Sequence, residues 1–311
     1  MYLSTDQLSI ACPSAPQPLY AVETLHEQGS GDQNEDVLLR SGALFGVFDG
    51  ATSLDKYCDP DGATGGLCAA SIAAATFENH SGSLPQAAEE ANRLLREKQI
   101  RCGIPLDQRQ RLWSTSMAVV RMHATSFEYC HTGDSMIVLL YRDGGYSLLS
   151  PELDIDSQTL ELWRNSASGN QPIHSLLADQ ITRVRLQMNV TYGVLNGEPE
   201  SMHFLCHGRE SLAGISDILL FTDGLLLPKT EPGRPSDWQA FADLYRKGGL
   251  AAIRNHVRAL QREDSTCRRY PRFKAHDDIA AIAVSVDHDN AWPGHMHPRS
   301  SRTPPASSTD R

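Results

Sequence analysis

Apolar side chains arrive along this chain in short bursts rather than long runs. Residues 19–24, 36–40 and 43–48 each gather Leu, Val, Tyr or Phe between polar or glycine punctuation, the pattern expected of buried and half-buried strands. Over 65–77 and 84–99 the sequence turns alanine-rich, turn formers thin out, and Ala87, Ala91, Leu94 and Leu95 recur at helical spacing, which predicts two helices. Further strands are predicted over 115–123, 126–131, 136–141 and 146–149, with Asp143-Gly144-Gly145 as a hairpin turn. Between 151 and 197 the pattern is mixed. Ser157 and Thr159 are alternative starts for one short helix, 173–186 suggests another, and the segment is assigned to an insertion or flap. A strand at 217–222, a polar loop at 229–237, a helix over 238–262 and a strand at 279–286 close the pattern.

Strands and helices that come in blocks, rather than in strict alternation, predict an α+β fold of antiparallel sheets with helices outside. Residues 1–18, rich in Ser, Pro and Gln, read as an N-terminal extension, 19–287 as one domain, and 288–311, with almost nothing to bury, as a disordered tail. In 311 residues, 40% hydrophobic and 21% charged side chains are ordinary for a globular protein. A net charge of -10 argues against broad binding to nucleic acid or an anionic membrane, both of which need a positive field, and favours cations. The seven cysteines, at 12, 58, 68, 102, 130, 206 and 267, are odd in number and never closer than ten residues, so neither a zinc spacing nor a fully paired disulfide set emerges. No Lys or Arg precedes Arg40 and no apolar run is long enough to span a bilayer; the expectation is a reduced, cytoplasmic protein.

The chemistry concentrates at strand ends. Glu35-Asp36 precedes the strand at 37–40, Asp49-Gly50 ends the strand at 43–48, Asp223-Gly224 ends the one at 217–222, and Asp277-Asp278 precedes the last. Taken singly, each Asp-Gly is a strand-ending turn. Taken together, they suggest carboxylates on a rigid scaffold that repel one another unless a divalent cation neutralises them. Oxygen donors without His or Cys favour Mg²⁺ or Mn²⁺ over Zn²⁺.

The ordered set Asn34-Glu35-Asp36, Phe45-Gly46-Val47-Phe48-Asp49-Gly50, Gly133-Asp134-Ser135, Leu220-Phe221-Thr222-Asp223-Gly224 and Asp277-Asp278-Ile279 resembles the metal-dependent Ser/Thr protein phosphatases of the 2C type. The strand Thr115-Ser116-Met117-Ala118-Val119-Val120 is similar to one that the family places ahead of its Gly-Asp-Ser motif. The resemblance implies a four-layer αββα sandwich, with two central antiparallel sheets flanked by helices. It also implies hydrolysis of phosphoserine and phosphothreonine in a phosphorylated protein substrate by metal-activated water at a binuclear centre. Carried over residue by residue, Asp49 bridges two Mg²⁺ or Mn²⁺ ions. Glu35, partly through water, and the Gly50 carbonyl complete one site, and Asp223 and Asp277 complete the other. Asp36 orients water, and Asp134 helps hold a third, weaker ion.

Two positions depart from the family pattern. Asp49-Gly50 is followed by Ala51 where well-studied members have a proton-donating His, and Gly31 stands where they have a phosphate-gripping Arg. A positioned general acid contributes roughly 10² to 10⁴-fold, so a pseudophosphatase that binds without efficient hydrolysis is the alternative reading, and a phosphatase of a small metabolite a third. Lys56 and Thr52, in the loop that follows, are candidate substitutes. Arg254, Arg258 and Arg262, followed by Arg268, Arg269, Arg272 and Lys274, read as a solvated basic face or a dock for an acidic partner. His276 is expected to point away from its neighbour Asp277, and His295 and His297 to lie in the tail.

Overall fold

Strand alternation sets the architecture. In the computed structural model, which describes residues 20–51, 54, 57–166 and 171–286, one sheet has the order β1 (Tyr20–Glu27), β10 (Ile279–Val286), β9 (Ile215–Phe221), β6 (Met136–Tyr141), β7 (Tyr146–Leu148). The other has β2 (Val37–Ser41), β3 (Leu44–Ala51), β4 (Ser114–Met122), β5 (Ser126–Thr132), β8 (Cys206–Ser211). Neighbouring strands within each sheet run antiparallel. The expected N-terminal extension and the tail from 288, with His295 and His297, lie outside the described residues, as do Thr52 and Lys56.

Because successive side chains of a strand face opposite ways, each central strand feeds two cores. Along β10, Ala280, Ile282 and Val284 join Phe45, Val47, Val120, Ile137 and Leu220 between the sheets. Its alternate residues Ile279, Ala281 and Ala283 pack outward against α6 (Trp238–Glu263) through Phe241, Ile253 and Val257. On the far side, Phe48 and Met117 meet Ala70, Phe77, Ala87 and Ala91 of α1 (Gly65–Asn79) and α2 (Leu84–Arg101). The result is the four-layer αββα sandwich. Thr64 caps α1 by accepting from Leu67 N, and Ser83 with Gln86 forms a capping box on α2, satisfying amides that a helix start leaves unpaired.

The structure departs from the sequence expectation in three places. Strand β8 was not anticipated, because Cys206–Ser211 is a largely exposed polar edge strand on β5 with no apolar alternation to betray it. The long helix breaks at Gly248-Gly249, where Gly249 takes φ 67. Its second half restarts under the Glu23 carboxylate, which accepts from Leu250 N at 3.1 Å. Arg258 is 4% exposed rather than solvated; its guanidinium donates to Glu27 Oε1 at 2.8 Å and to the Asp277 carbonyl at 2.7 Å. The 151–197 segment folds as α3 (Ser157–Asn165), α4 (Ile173–Leu176) and α5 (Ala178–Arg185). It returns to the sandwich through paired backbone bonds of 3.0 Å between Leu195 and Thr115. The six cysteines among the described residues are free.

Ile282, fully buried between the sheets, tests this packing. Ile282→Ala is expected to lower unfolding free energy by about 2–5 kcal/mol in urea denaturation; a loss below about 1 kcal/mol would contradict a dry inter-sheet core.

Candidate active site

The register of the two sheets brings the strand-end acids to one edge of the sandwich. Asp49 lies two residues before the end of β3, opposite Ser116 of β4. Asp223 follows β9, and Asp277 precedes the neighbouring β10, tied across by Thr222 N donating to the Ala280 carbonyl at 3.0 Å. Asp134 sits in the turn between β5 and β6. Asp49, Asp134, Asp223 and Asp277, together with Gly50, line one cavity of about 170 Å³. Four residues from the ordered motif set are therefore brought together there with the Gly50 backbone.

Glu35 and Asp36 lie behind this floor. Both are buried. Glu35 Oε1 accepts a hydrogen bond from Thr64 Oγ1, the same hydroxyl that caps α1. Asp36 Oδ2 accepts from Thr222 Oγ1 at 2.7 Å, joining β2's entrance to β9's exit. Asp278 clamps the loops together, accepting from Gly29 N at 2.7 Å and Glu35 N at 2.9 Å. The glycines of both Asp-Gly pairs are demanded by close approach. A Cβ on Gly50 would stand 2.4 Å from the Gly66 carbonyl oxygen, and one on Gly224 1.8 Å from that of Asp278, closer than packed atoms allow.

Electrostatics at the floor is set by burial first and by neighbouring like charges second. Burial, then the charges of Asp36, Asp134 and Asp277, hold Asp49 well above the usual carboxylate range. Burial, then Asp49, Asp277 and Asp134, do the same to Asp223. Burial raises Asp36 too, against the Thr222 hydrogen bond. Asp134 is raised by burial, with Ser116 and Arg185 opposing. Asp156 is pushed up to about 6 by burial and by Asp134. These are the shifts expected where desolvated like charges meet. One ammonium answers them directly: Lys274 Nζ lies 2.9 Å from Asp277 Oδ1. Burial would lower Lys274, but the charge and hydrogen bond of Asp277 outweigh it and hold the ammonium above its ordinary value.

The donor chemistry fits a hard divalent cation. The cavity is lined by the carboxylates of Asp49, Asp134, Asp156, Asp223 and Asp277 and the Gly50 main chain, with excess negative charge, no thiol, and one imidazole, that of His174. The Ser114 hydroxyl in the same lining is buried without a hydrogen-bond partner, an acceptor or donor available to a bound water or ligand atom. Among the described residues, no three His, Cys, Asp or Glu side chains stand close enough to hold an ion as they are; the acids surround a cavity in which Lys274 also lies.

Sequence reasoning missed several of the groups that line this cavity. Lys274, read as part of a basic face, is at the floor, and Asp156, His174 and Arg185 reach it from the 151–197 segment. Their signal was unreadable because that segment carries no motif. His174 stacks on Phe273, the neighbour of Lys274, at 5.6 Å between ring centroids. Ala51 lines the cavity where a His was expected, while Gly31 is not among the lining residues. His276 turns away, as expected, with Nδ1 2.9 Å from Gln261 Oε1. Two further arginines of the expected basic face are committed elsewhere: Arg272 to Asp264 at 2.9 Å, and Arg268 over the Trp163 ring at 3.8 Å.

A fold of two antiparallel sheets between helix layers, with acids at one edge, defines a class, and comparison with known proteins supplies the family. The model of the family described as Protein phosphatase 2C matches residues 26–253, and the chain belongs to that family. Its fold is similar to the Mycobacterium tuberculosis serine/threonine phosphatase PstP/Ppp, with 15% identity, 86% of this chain and 99% of that one covered, and a TM-score of 0.54. It is also similar to PppA of Pseudomonas aeruginosa, described as a regulatory component of T6SS, with 17% identity, 86% and 97% coverage and a TM-score of 0.52. A third similar structure is the PstP catalytic domain in complex with 2 manganese ions, with 14% identity, 86% and 96% coverage and a TM-score of 0.51. No curated protein matches the chain. No helix among the described residues is long and apolar enough to cross a membrane.

The raised carboxyl of Asp156 gives a pH signature. A carboxyl whose folded pKa, about 6, exceeds its unfolded value adds stability that is full below about pH 4 and is lost as pH rises through about 6. In chelator, Asp156→Asn is therefore expected to stabilise the protein by on the order of 1–3 kcal/mol at pH 7.5 and to leave it unchanged near pH 4. Urea unfolding at the two pH values measures this; an equal effect at both would contradict the assignment.

Proposed function

We propose that the chain is a Mg²⁺- or Mn²⁺-dependent phosphatase that hydrolyses phosphoserine and phosphothreonine in proteins. The observation that carries this reading is the convergence of Asp49, Gly50, Asp134, Asp223 and Asp277 on one cavity in a chain of the protein phosphatase 2C family. Asp49 and the Gly50 carbonyl, with Glu35 behind them through water, are the groups that would hold one cation. In the family pattern Asp223 and Asp277 are the groups for a second, and Asp134 for a weaker third. When bound, such cations supply Lewis acidity and a nucleophile drawn from water at neutral pH.

The chain's own residues define the rest. Asp36, held behind Asp49 by the Thr222 hydroxyl, orients what binds in front of it. Arg185 and Lys274 bring positive charge to the cavity and attract the dianionic phosphate that Gly31 cannot grip. With Ala51 in place of the family's His, Asp156 and His174 are lining groups able to carry a proton to a departing alkoxide. α4 and α5 of the 151–197 segment wall the cavity and limit the water that reaches it.

Ala51 and Gly31 favour a second reading, a protein of the same fold that binds a phosphoprotein without efficient turnover. The two are separated by phosphate release from phosphopeptides and from a nitrophenyl phosphate, with and without Mn²⁺. Metal-dependent release that falls by on the order of 10²-fold or more in Asp49→Asn is expected; ion binding with no turnover on any substrate would select the second reading. Arg185→Ala is expected to raise KM for phosphopeptide by roughly tenfold, the scale of one charge-assisted contact of 1.5–3 kcal/mol, and an unchanged KM would remove Arg185 from phosphate binding.

A further inference from the structure

Among the described residues, Asp277 is a floor carboxylate with an ammonium in hydrogen-bond contact. Its Oδ1 accepts from Lys274 Nζ at 2.9 Å and from Asp278 N at 3.0 Å, so both lone pairs of that oxygen are engaged. The lysine is delivered by a loop fixed along its length. Arg258 Nη2 holds the Asp277 carbonyl at 2.7 Å, Arg272 Nε the Ala275 carbonyl at 3.0 Å, and Ser30 N the His276 carbonyl at 2.8 Å. Phe273, next in the chain, is stacked against His174. The Lys274 side chain is 28% exposed and lines the same cavity as Asp49, Asp134 and Asp223. An ammonium placed in this way is part of the architecture rather than a free surface charge.

We propose that Lys274 is a resident counter-cation of the acidic centre, its ammonium holding Asp277 in place of a divalent ion, so that the chain loads one divalent ion, on the Asp49–Gly50 side of the cavity. The inference rests on the reading of that cavity as a divalent-cation centre. A dication approaching Asp277 and Asp223 must displace the ammonium or share a carboxylate with it, and like charges a few ångströms apart in a partly desolvated site exclude one another. An ammonium neutralises charge without being a Lewis acid, so the chain keeps its acids together at that position by itself and depends on added metal only at the other.

Calorimetric titration of the full chain with Mn²⁺ after chelation tests this on the wild type, Lys274→Met, Lys274→Arg and Asp49→Asn. One equivalent is expected in the wild type and in Lys274→Arg. In Lys274→Met a second equivalent, or affinity tighter by on the order of 10–100-fold, is expected. Two equivalents in the wild type, or a Lys274→Met isotherm that matches the wild type within about twofold against that 10–100-fold scale, would overturn the inference while leaving the metal centre intact. Absence of Mn²⁺ binding in wild type and Lys274→Met alike, or binding unaffected by Asp49→Asn, would overturn it by removing the centre itself. Should Lys274→Met fail to fold, the wild-type stoichiometry decides alone.

Discussion

Everything at the working edge of this sandwich depends on forcing carboxylates closer together than water would leave them. Asp49, Asp134, Asp223 and Asp277 line one cavity, with Glu35, Asp36 and Asp278 buried behind. Like charges in a poorly solvated place either take up protons or recruit cations. Burial and then neighbouring like charge raise Asp36, Asp49 and Asp223 above the usual carboxylate range. A site whose charges repel is a site with affinity in store for a positive ligand, and that is the physical basis for the function proposed.

Such crowding persists only because the surrounding scaffold over-determines it. The floor residues sit at strand ends whose positions are fixed by antiparallel pairing and by three packed layers of apolar side chains. The loops between them are cross-tied by hydrogen bonds: Asp278 to Gly29 and Glu35, Asp36 to Thr222, Arg258 to Asp277. The last tie also makes α6 part of the site, since a helix on the outer face of one sheet holds the main chain of a floor residue. Backbone proximity at Gly50 and Gly224 leaves no room for a side chain, so the glycine of each Asp-Gly pair is there for packing while its partner aspartate carries the charge.

What could be read from the sequence was what local chemistry encodes. Strands β6 and β10 coincide with their expected spans, and the Ala-rich stretches are α1 and α2, because alternation and helical spacing are short-range signals. The Asp-Gly pairs were legible for the same reason. β8 was not, since an edge strand buries little and needs no apolar pattern. In the sequence Arg258 and Lys274 read as a solvated basic face or a dock for an acidic partner, because their actual partners, Glu27 and Asp277, are set by tertiary packing rather than by periodicity. Arg185 and His174 belong to a segment with no motif, and only the fold shows that it reaches the cavity.

The central claim is that these acidic oxygens hold a divalent cation, and the most direct measurement is an anomalous difference map from crystals grown with Mn²⁺. The account predicts a strong peak within about 2.5 Å of an Asp49 carboxylate oxygen and the Gly50 carbonyl. A map with no peak among Asp49, Asp134, Asp223 and Asp277 at saturating Mn²⁺ would contradict it.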